Sequence, residues 1–255
     1  MKLHPGRYVF GLAAIVFGIT GLVWMDFNTW QQVRSLGHLS HPKMLAAILA
    51  AIELIGGIAM QWQKTLRFGA IILCIIYLLF ALLWVPFIIQ TPLAYDSWGN
   101  FFEQFSMAAG AWVAYFSFEG GNPSARKARI GCILFGICVL SFTLEQVFYL
   151  SATAGFVPAW MPPGQMFWAV ATTILLALAA IAILTGRLAL LAVRLLTIMI
   201  ICFGLLIWLP VLINDPGKLF NWAGNAENLG IAGAAWIVAE YLAESKTAGS
   251  NRYPN

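Results

Sequence analysis

Four glutamates lie within long apolar segments of the chain, where an ionisable side chain is costly and needs a specific reason to be present. They are Glu53, Glu103, Glu145 and Glu227. Placing a charged group in a bilayer costs about 2.5–3.5 kcal/mol on insertion scales. Carboxyl groups held there without a cation suit proton-coupled chemistry or ligand binding. These four residues are therefore the first candidates for a functional site.

The expected depth of each glutamate leaves two interpretations open. Glu103 and Glu227 are predicted to lie one to two turns into their helices from the outer side. As first-turn carboxylates they would be stabilised by the helix dipole and its free amide groups. Alternatively, they contact a proton or a ligand and pair with Glu145, near the outer surface, or Glu53, roughly 13 Å into its helix and near the midplane.

Aromatic and amide side chains cluster near the same outer boundary. The tryptophans can be interpreted as an interfacial aromatic belt. They can equally form a flat aromatic surface for a quinone or another planar amphiphile. The candidate lining residues are Trp84, Trp98, Gln104, Tyr149, Trp160, Trp208, Trp222 and Asn228.

The chain contains no motif for self-contained catalysis. Its four cysteines form no C-x-x-C pair and are interpreted as small apolar residues. The three histidines, His4, His38 and His41, fall outside the apolar segments, so neither a haem ligand nor a metal site is predicted. No nucleotide-binding glycine loop, hydrolase elbow or HExxH sequence is present. No cofactor is evident, although a bound quinone stays open, and the chain is not expected to be an enzyme by itself.

The composition places these residues in a membrane. Hydrophobic residues make up 61% of the chain and charged residues 9%, and the mean hydropathy is +0.84. Several apolar runs reach the ~20 residues that a helix needs to cross a bilayer. We predict an all-α transmembrane protein with eight helices, at about 8–26, 43–61, 67–90, 101–118, 129–150, 165–185, 189–213 and 225–242.

The distribution of Lys and Arg predicts the orientation. With the N-terminus in the cytoplasm, 11 of the 14 Lys and Arg residues lie on the cytoplasmic side and three on the other. Positive residues accumulate on the cytoplasmic side of membrane proteins, so both termini are predicted to be cytoplasmic. This inner face accounts for the net charge of +4, and no nucleic-acid partner is needed to explain it.

The last part of the chain repeats the first part. Trp84-Val-Pro86 recurs as Trp208-Leu-Pro210, and Glu103 recurs as Glu227, each 124 positions later. Four spans in each copy make a parallel repeat with a pseudo-two-fold axis along the membrane normal. We predict four-helix bundles at 1–120 and 129–243, a cytoplasmic linker at 121–128 and a disordered C-terminal tail at 244–255. A site is expected on the outer side, between the two bundles.

The second copy resembles a known family in several short motifs. It is similar to the DoxX-like family of four-helix bacterial membrane proteins, and the first copy matches more loosely. Relatives often carry Glu-His where this chain has Glu145-Gln146. The motifs that carry the resemblance are 145–163, Phe167-Trp168, Leu184-Thr-Gly186, Trp208-Leu-Pro210, Asn221-Trp222 and Glu227-Asn228.

The resemblance implies a multi-pass protein of the bacterial cytoplasmic membrane. It further implies an accessory subunit associated with quinone or thiol redox chemistry, with a redox enzyme subunit or a quinone as partner. A small-molecule or proton-linked transporter and a membrane scaffold or assembly factor are the alternatives. Internal duplication also predicts a monomer, because the two copies can bury in one chain an interface that single-copy relatives form as dimers.

Overall fold

The computed structural model describes residues 4–26, 31, 41–117 and 125–250, and these residues are almost entirely helical. The first half contains α1 (Pro5–Trp24), α2 (Pro42–Met60), α3 (Leu66–Leu83), α4 (Val85–Gln90) and α5 (Tyr95–Ser117). The second half contains α6 (Ala125–Phe148), α7 (Leu150–Phe156), α8 (Gln165–Thr185), α9 (Ala189–Phe203), a π-helical segment (Gly204–Trp208), α10 (Leu209–Asn214) and α11 (Leu219–Ser250).

Six helical runs are long and apolar enough to cross a membrane, which confirms the all-α, membrane-type prediction for the described residues. The helices at the fourth and eighth predicted spans, α5 and α11, are not among the six, because their sequences carry more polar side chains. Their crossing stays a prediction. The six runs are Pro5–Trp24, Pro42–Met60, Leu66–Gln90, Ala125–Phe148, Gln165–Thr185 and Ala189–Asn214.

Local sequence explains where several helices begin and end. Pro5 and Pro42 occupy the first helical positions of α1 and α2, where the missing amide hydrogen costs nothing. Gly186 ends α8 with a left-handed backbone, φ 75°, a conformation that glycine adopts easily. α11 continues to Ser250, beyond residue 244, where a disordered tail was predicted; residues 251–255 lie outside the described part.

The two halves are interlocked rather than closed as separate four-helix bundles. In the first half, α1 packs along α2, α2 along α3, and α3 along α5; in the second, α6 packs along α8, α8 along α9, and α9 along α11. Across the halves, α1 packs along α11, α6 along α5, and α5 along α11. The first helix of each half therefore lies on the last helix of the other half.

Small residues bring α5 and α11 together at this seam. A Cβ atom added to Gly110 would lie 2.8 Å from the Cα atom of Ala234, so the two backbones are in close contact there. Glycine and alanine at helix interfaces allow such an approach. The two positions differ by 124, the offset of the sequence repeat.

The interiors of the two halves differ. Aromatic side chains fill the first half: the Phe10 and Tyr77 rings lie 5.9 Å apart and those of Tyr77 and Phe80 6.4 Å apart, centre to centre. All three side chains are fully buried. The position that repeats Phe80 in the second half is Gly204, which has no side chain and begins the π-helical segment. At this position the second half therefore has an irregular helix instead of a packed ring.

Candidate functional site

A cavity of about 720 Å³ lies in the second half. Its walls come from α6, α7, α8, α9, the π-helical segment and α11, together with α5 from the first half. Most of the lining is apolar or aromatic, and the polar side chains lie on α5, α6, α8 and α11. The charged and amide groups that line it are Asp96, Glu103, Glu145, Gln146, Glu227 and Asn228.

Three of the four predicted carboxylates meet in this cavity. Glu103 and Glu227 are close enough to interact electrostatically, and both also interact with Glu145. Glu145 in turn interacts with Asp96. The described residues contain no ion pair that involves any of these four groups. The cavity therefore brings acidic side chains together with no basic side chain beside them in the described part of the chain.

Glu227 is held at the seam by a residue of the first half. Gln104 donates a hydrogen bond from Nε2 to Glu227 Oε1 at 2.7 Å, and both residues are buried, with exposures of 0% and 4%. Glu227 Oε2 and Gln104 Oε1 are buried without a hydrogen-bond partner among the described residues. Unsatisfied buried polar atoms are rare and are a common mark of a functional site.

Glu145 reaches across to the first half as well. A Cβ atom added to Gly99 of α5 would lie 2.6 Å from Glu145 Cδ, so the carboxyl group packs directly against that glycine. Glu145 occupies the position of Thr20 in the first copy, whose hydroxyl donates to the Val16 carbonyl oxygen of its own helix at 2.8 Å. At matching positions, the first half therefore has a hydroxyl group bonded within its own helix, whereas the second half has a carboxylate that lines a cavity.

The π-helical segment widens the cavity on one side. Asn228 of α11 donates from Nδ2 to the Ile200 carbonyl oxygen at 3.0 Å, and a Cβ atom on Gly204 would lie 2.6 Å from that same nitrogen. Asn225 donates to the Trp208 carbonyl oxygen at 2.7 Å. Side-chain amides thus support the irregular backbone, and Gly204 leaves room for one of them. Such π-bulges occur frequently at functional sites.

The helix-dipole interpretation of Glu103 and Glu227 does not fit the structure. α5 begins at Tyr95 and α11 at Leu219, so each glutamate lies more than two turns inside its helix, beyond the reach of the terminal amides. The acidic residue in the first turn of α5 is Asp96. The remaining explanation for the position of Glu103 and Glu227 inside their helices is that both line the cavity.

The predicted lining residues separate into two groups. Tyr149, Trp208 and Asn228 line the cavity, and Gln104 touches it through its bond to Glu227. The other four tryptophans lie outside it. Trp84 is 6% exposed and Trp160 is 72% exposed, while Trp98 and Trp222 donate to the Pro92 and Pro216 carbonyl oxygens at 3.1 and 2.9 Å.

Glu53 stands apart from the cavity. It is 2% exposed in the first half, and both of its carboxylate oxygens accept from Gln31 Nε2, at 2.9 and 3.0 Å. The nearby Tyr77 hydroxyl is buried without a hydrogen-bond partner in the described part of the chain. Glu53 therefore has its own hydrogen-bond donor and does not line the second-half cavity, although it interacts electrostatically with Glu227.

Several residues that line the cavity were not predicted from the sequence. Asp96 belongs to the lining, as do Gln146, Trp168 and Thr172. Gln146 Oε1 accepts from the Thr172 and Thr173 hydroxyls at 3.3 and 2.9 Å.

In the described residues, no group of three or more His, Cys, Asp or Glu side chains is placed to hold a metal ion. His38 lies outside the described ranges. Comparisons with protein-family models, with curated proteins and with solved structures found no match to the chain. The resemblance to the DoxX-like family therefore stays a prediction.

Proposed function

We propose that this chain is a tandem DoxX-like membrane protein whose second half binds a quinol, as an accessory subunit of a redox enzyme. The observation that carries the proposal is the mainly apolar cavity with the Glu103, Glu145 and Glu227 carboxylates on its walls. A volume of about 720 Å³ lies within the range of small-molecule sites. Apolar walls with a few polar groups suit an amphiphile drawn from the bilayer.

The architecture in this proposal is eight membrane helices in two parallel copies. Two observations support the repeat: the hydrogen bonds of Trp98 to Pro92 and of Trp222 to Pro216 recur 124 positions apart, and Gly110 meets Ala234 at the same offset. α5 and α11 complete the eight because each packs along three long helices. The Lys and Arg distribution supports cytoplasmic termini, and the family resemblance supports the bacterial cytoplasmic membrane.

The hydrogen-bonding groups favour the reduced form of a quinone over the oxidised form. A quinone presents two carbonyl oxygens, which need donors, whereas a quinol presents two hydroxyl groups, which donate. Glu227 Oε2 is an acceptor without a partner among the described residues. Asn228 uses one of its two amide hydrogens on the Ile200 carbonyl oxygen. The lining contains four carboxyl side chains and two side-chain amides, so its acceptor oxygens outnumber its amide donors, which fits a quinol.

The chemistry assigned to this chain is limited to binding and proton acceptance. Oxidation of a quinol to a quinone releases two protons and two electrons. Glu227 and Glu103 can accept the protons at their carboxylate oxygens. The electrons must pass to a redox cofactor on a partner subunit, since the sequence contains no redox motif. Because this chain would accept the protons and a partner subunit the electrons, its role would be that of an accessory subunit.

The proposal is tested by the lipid content and quinol affinity of the purified protein. Organic extraction followed by mass spectrometry should recover about one quinone-class molecule per chain. Under anaerobic conditions, a short-chain benzoquinol should quench the fluorescence of Trp168 and Trp208, which line the cavity, at concentrations at least tenfold lower than the oxidised form. Absence of any quinone, or equal affinity for both forms, would overturn the proposal.

A matched pair of variants locates the binding. Glu227→Gln removes an acceptor from the cavity and should weaken quinol binding about tenfold, the effect of about 1.4 kcal/mol. Glu53→Gln changes a carboxylate of similar burial outside the cavity and should leave binding unchanged. If both variants bind the quinol as the native protein does, the transporter and scaffold alternatives gain support. Native mass in detergent checks the proposed monomer, which a predominant dimer would contradict.

A further inference from the structure

The acidic side chains of the cavity point to a second class of ligand. Its lining contains four acidic residues, Asp96, Glu103, Glu145 and Glu227, and no Lys, Arg or His among the described residues. Ionisable groups within a membrane almost always pair with one another or with a ligand of opposite charge. A buried charge without a partner costs several kcal/mol. The cavity is therefore electrostatically complementary to a cation.

One of these carboxylates has an acceptor oxygen without a hydrogen-bond partner among the described residues. Glu227 is 4% exposed, it lines the cavity, and its Oε2 atom has no hydrogen-bond partner in the described part of the chain. Gln104 occupies only the other oxygen, Oε1, at 2.7 Å. An orphan acceptor at this depth is an independent indication of a missing positive or donating group.

The walls suit a cation that carries an apolar body. Aromatic rings attract cations over their faces, by about 0.5–2 kcal/mol when both are desolvated. Apolar side chains from α8 and α9 complete the wall of the cavity. A wall of this kind does not suit a small hydrated ion. The aromatic lining residues are Phe142, Tyr149, Phe156, Trp168, Phe203 and Trp208.

We propose that the second-half cavity binds amphipathic organic cations, which carry one positive centre on an aromatic or aliphatic body. The positive centre lies among Glu103, Glu145 and Glu227, and the body packs against the aromatic walls. The bilayer side of the cavity offers a route for such molecules, because Leu175 and Cys202 line it and are both exposed. This ligand class does not depend on the quinol proposal.

Two probes of the same shape and opposite charge test the inference in detergent solution. Tetraphenylphosphonium should bind the full-length protein with one site per chain by isothermal titration calorimetry. Tetraphenylborate, its anionic counterpart, should bind at least tenfold more weakly. Equal binding of the two ions would show a purely hydrophobic pocket and overturn the inference, as would the absence of phosphonium binding.

Charge-removing variants then locate the site. Glu145→Gln and Glu227→Gln should each weaken phosphonium binding about tenfold, equivalent to about 1.4 kcal/mol. Asp96→Asn, at an exposed position, should weaken it about threefold. Glu53→Gln is the control and should bind normally. Native affinity in the Asp96, Glu145 and Glu227 variants, or equal loss in Glu53→Gln, would contradict the site.

The results separate this inference from the proposed function. Phosphonium binding without quinol binding would support the cation site and overturn the quinol proposal. Quinol binding without phosphonium binding would support the quinol proposal and overturn the cation site. Mutual displacement of the two ligands would indicate that both occupy the same cavity.

Discussion

Replacing Glu227 with glutamine should make the protein more stable while weakening its ligand binding. In the native protein Gln104 donates one hydrogen bond to Glu227 Oε1 at 2.7 Å, and Glu227 Oε2 and Gln104 Oε1 are left without partners among the described residues. A glutamine at 227 can accept the same bond. Its own amide nitrogen can donate to Gln104 Oε1 after a small rotation, so both orphan atoms gain partners.

The magnitude follows from this count of hydrogen bonds. One added buried hydrogen bond contributes about 1 kcal/mol net, and relief of an unsatisfied buried group contributes about 1–3 kcal/mol. The added hydrogen bond is itself part of that relief, so the two contributions overlap. We therefore expect the free energy of unfolding to rise by about 1–2 kcal/mol. In a chain of this size the unfolding temperature then rises by about 2–8 °C. Alanine at 227 should act in the opposite sense, because it leaves the Gln104 amide unpaired.

The assay is thermal unfolding in detergent, followed by intrinsic fluorescence, for the native protein, Glu227→Gln, Glu227→Ala and Gln104→Leu. Combining Glu227→Gln with Gln104→Leu should remove the gain, because the added bond has no partner. A Glu227→Gln protein that unfolds at a lower temperature than the native protein would refute this reasoning. Such a result would mean that the carboxylate stabilises the seam. Residues that lower stability are expected where binding requires them.

Three further predictions follow from the same contacts. Gly204→Phe, which restores the residue type of the first half, should displace the lining residue Asn228, whose amide nitrogen lies 2.6 Å from where the Cβ would be, and weaken quinol binding at least tenfold in fluorescence titrations, whereas Leu205→Phe, at a position 57% exposed, should not. Gly110→Ala should lower the unfolding free energy by about 1–3 kcal/mol, since its Cβ would lie 2.8 Å from the facing backbone, while Gly155→Ala, with nothing within 4 Å, is the neutral control. Cys202, the exposed one of the four cysteines, should react with a maleimide, and a cavity ligand should slow that reaction; equal rates with and without ligand would contradict the cavity route.

The helical framework could be predicted from the sequence because the bilayer restricts what an apolar run can form. Long apolar runs with proline or glycine at their ends become helices, and six of the predicted spans are confirmed on length and composition. The predicted boundaries of the fourth and eighth spans were too short, because the polar first turns of α5 and α11 resemble loops. Asp96 and Asn221 belong to those turns.

Much of the candidate site could also be predicted, since carboxylates in apolar runs are few. The sequence marks Glu103, Glu145 and Glu227 as candidates but predicts only that Glu103 and Glu227 pair with Glu145 or Glu53; the structure places the first three around one cavity, while Glu53 accepts from Gln31 in the other half. The cavity itself depends on three-dimensional packing. Helices of the second half enclose it together with α5 of the first half, and this arrangement is not a local property of the sequence.

The central claim is that the second half, completed by α5, holds an amphiphile in the carboxylate-lined cavity. Photolabelling tests this most directly: an azido-benzoquinol is bound to the reduced protein, irradiated and located by peptide mass spectrometry. We predict labels on cavity residues of α8, α9 and α11, such as Thr172, Met199 and Ile231, that excess unlabelled quinol prevents. Labels confined to α1, α2 and α3, or labels that excess quinol does not reduce, would contradict the claim.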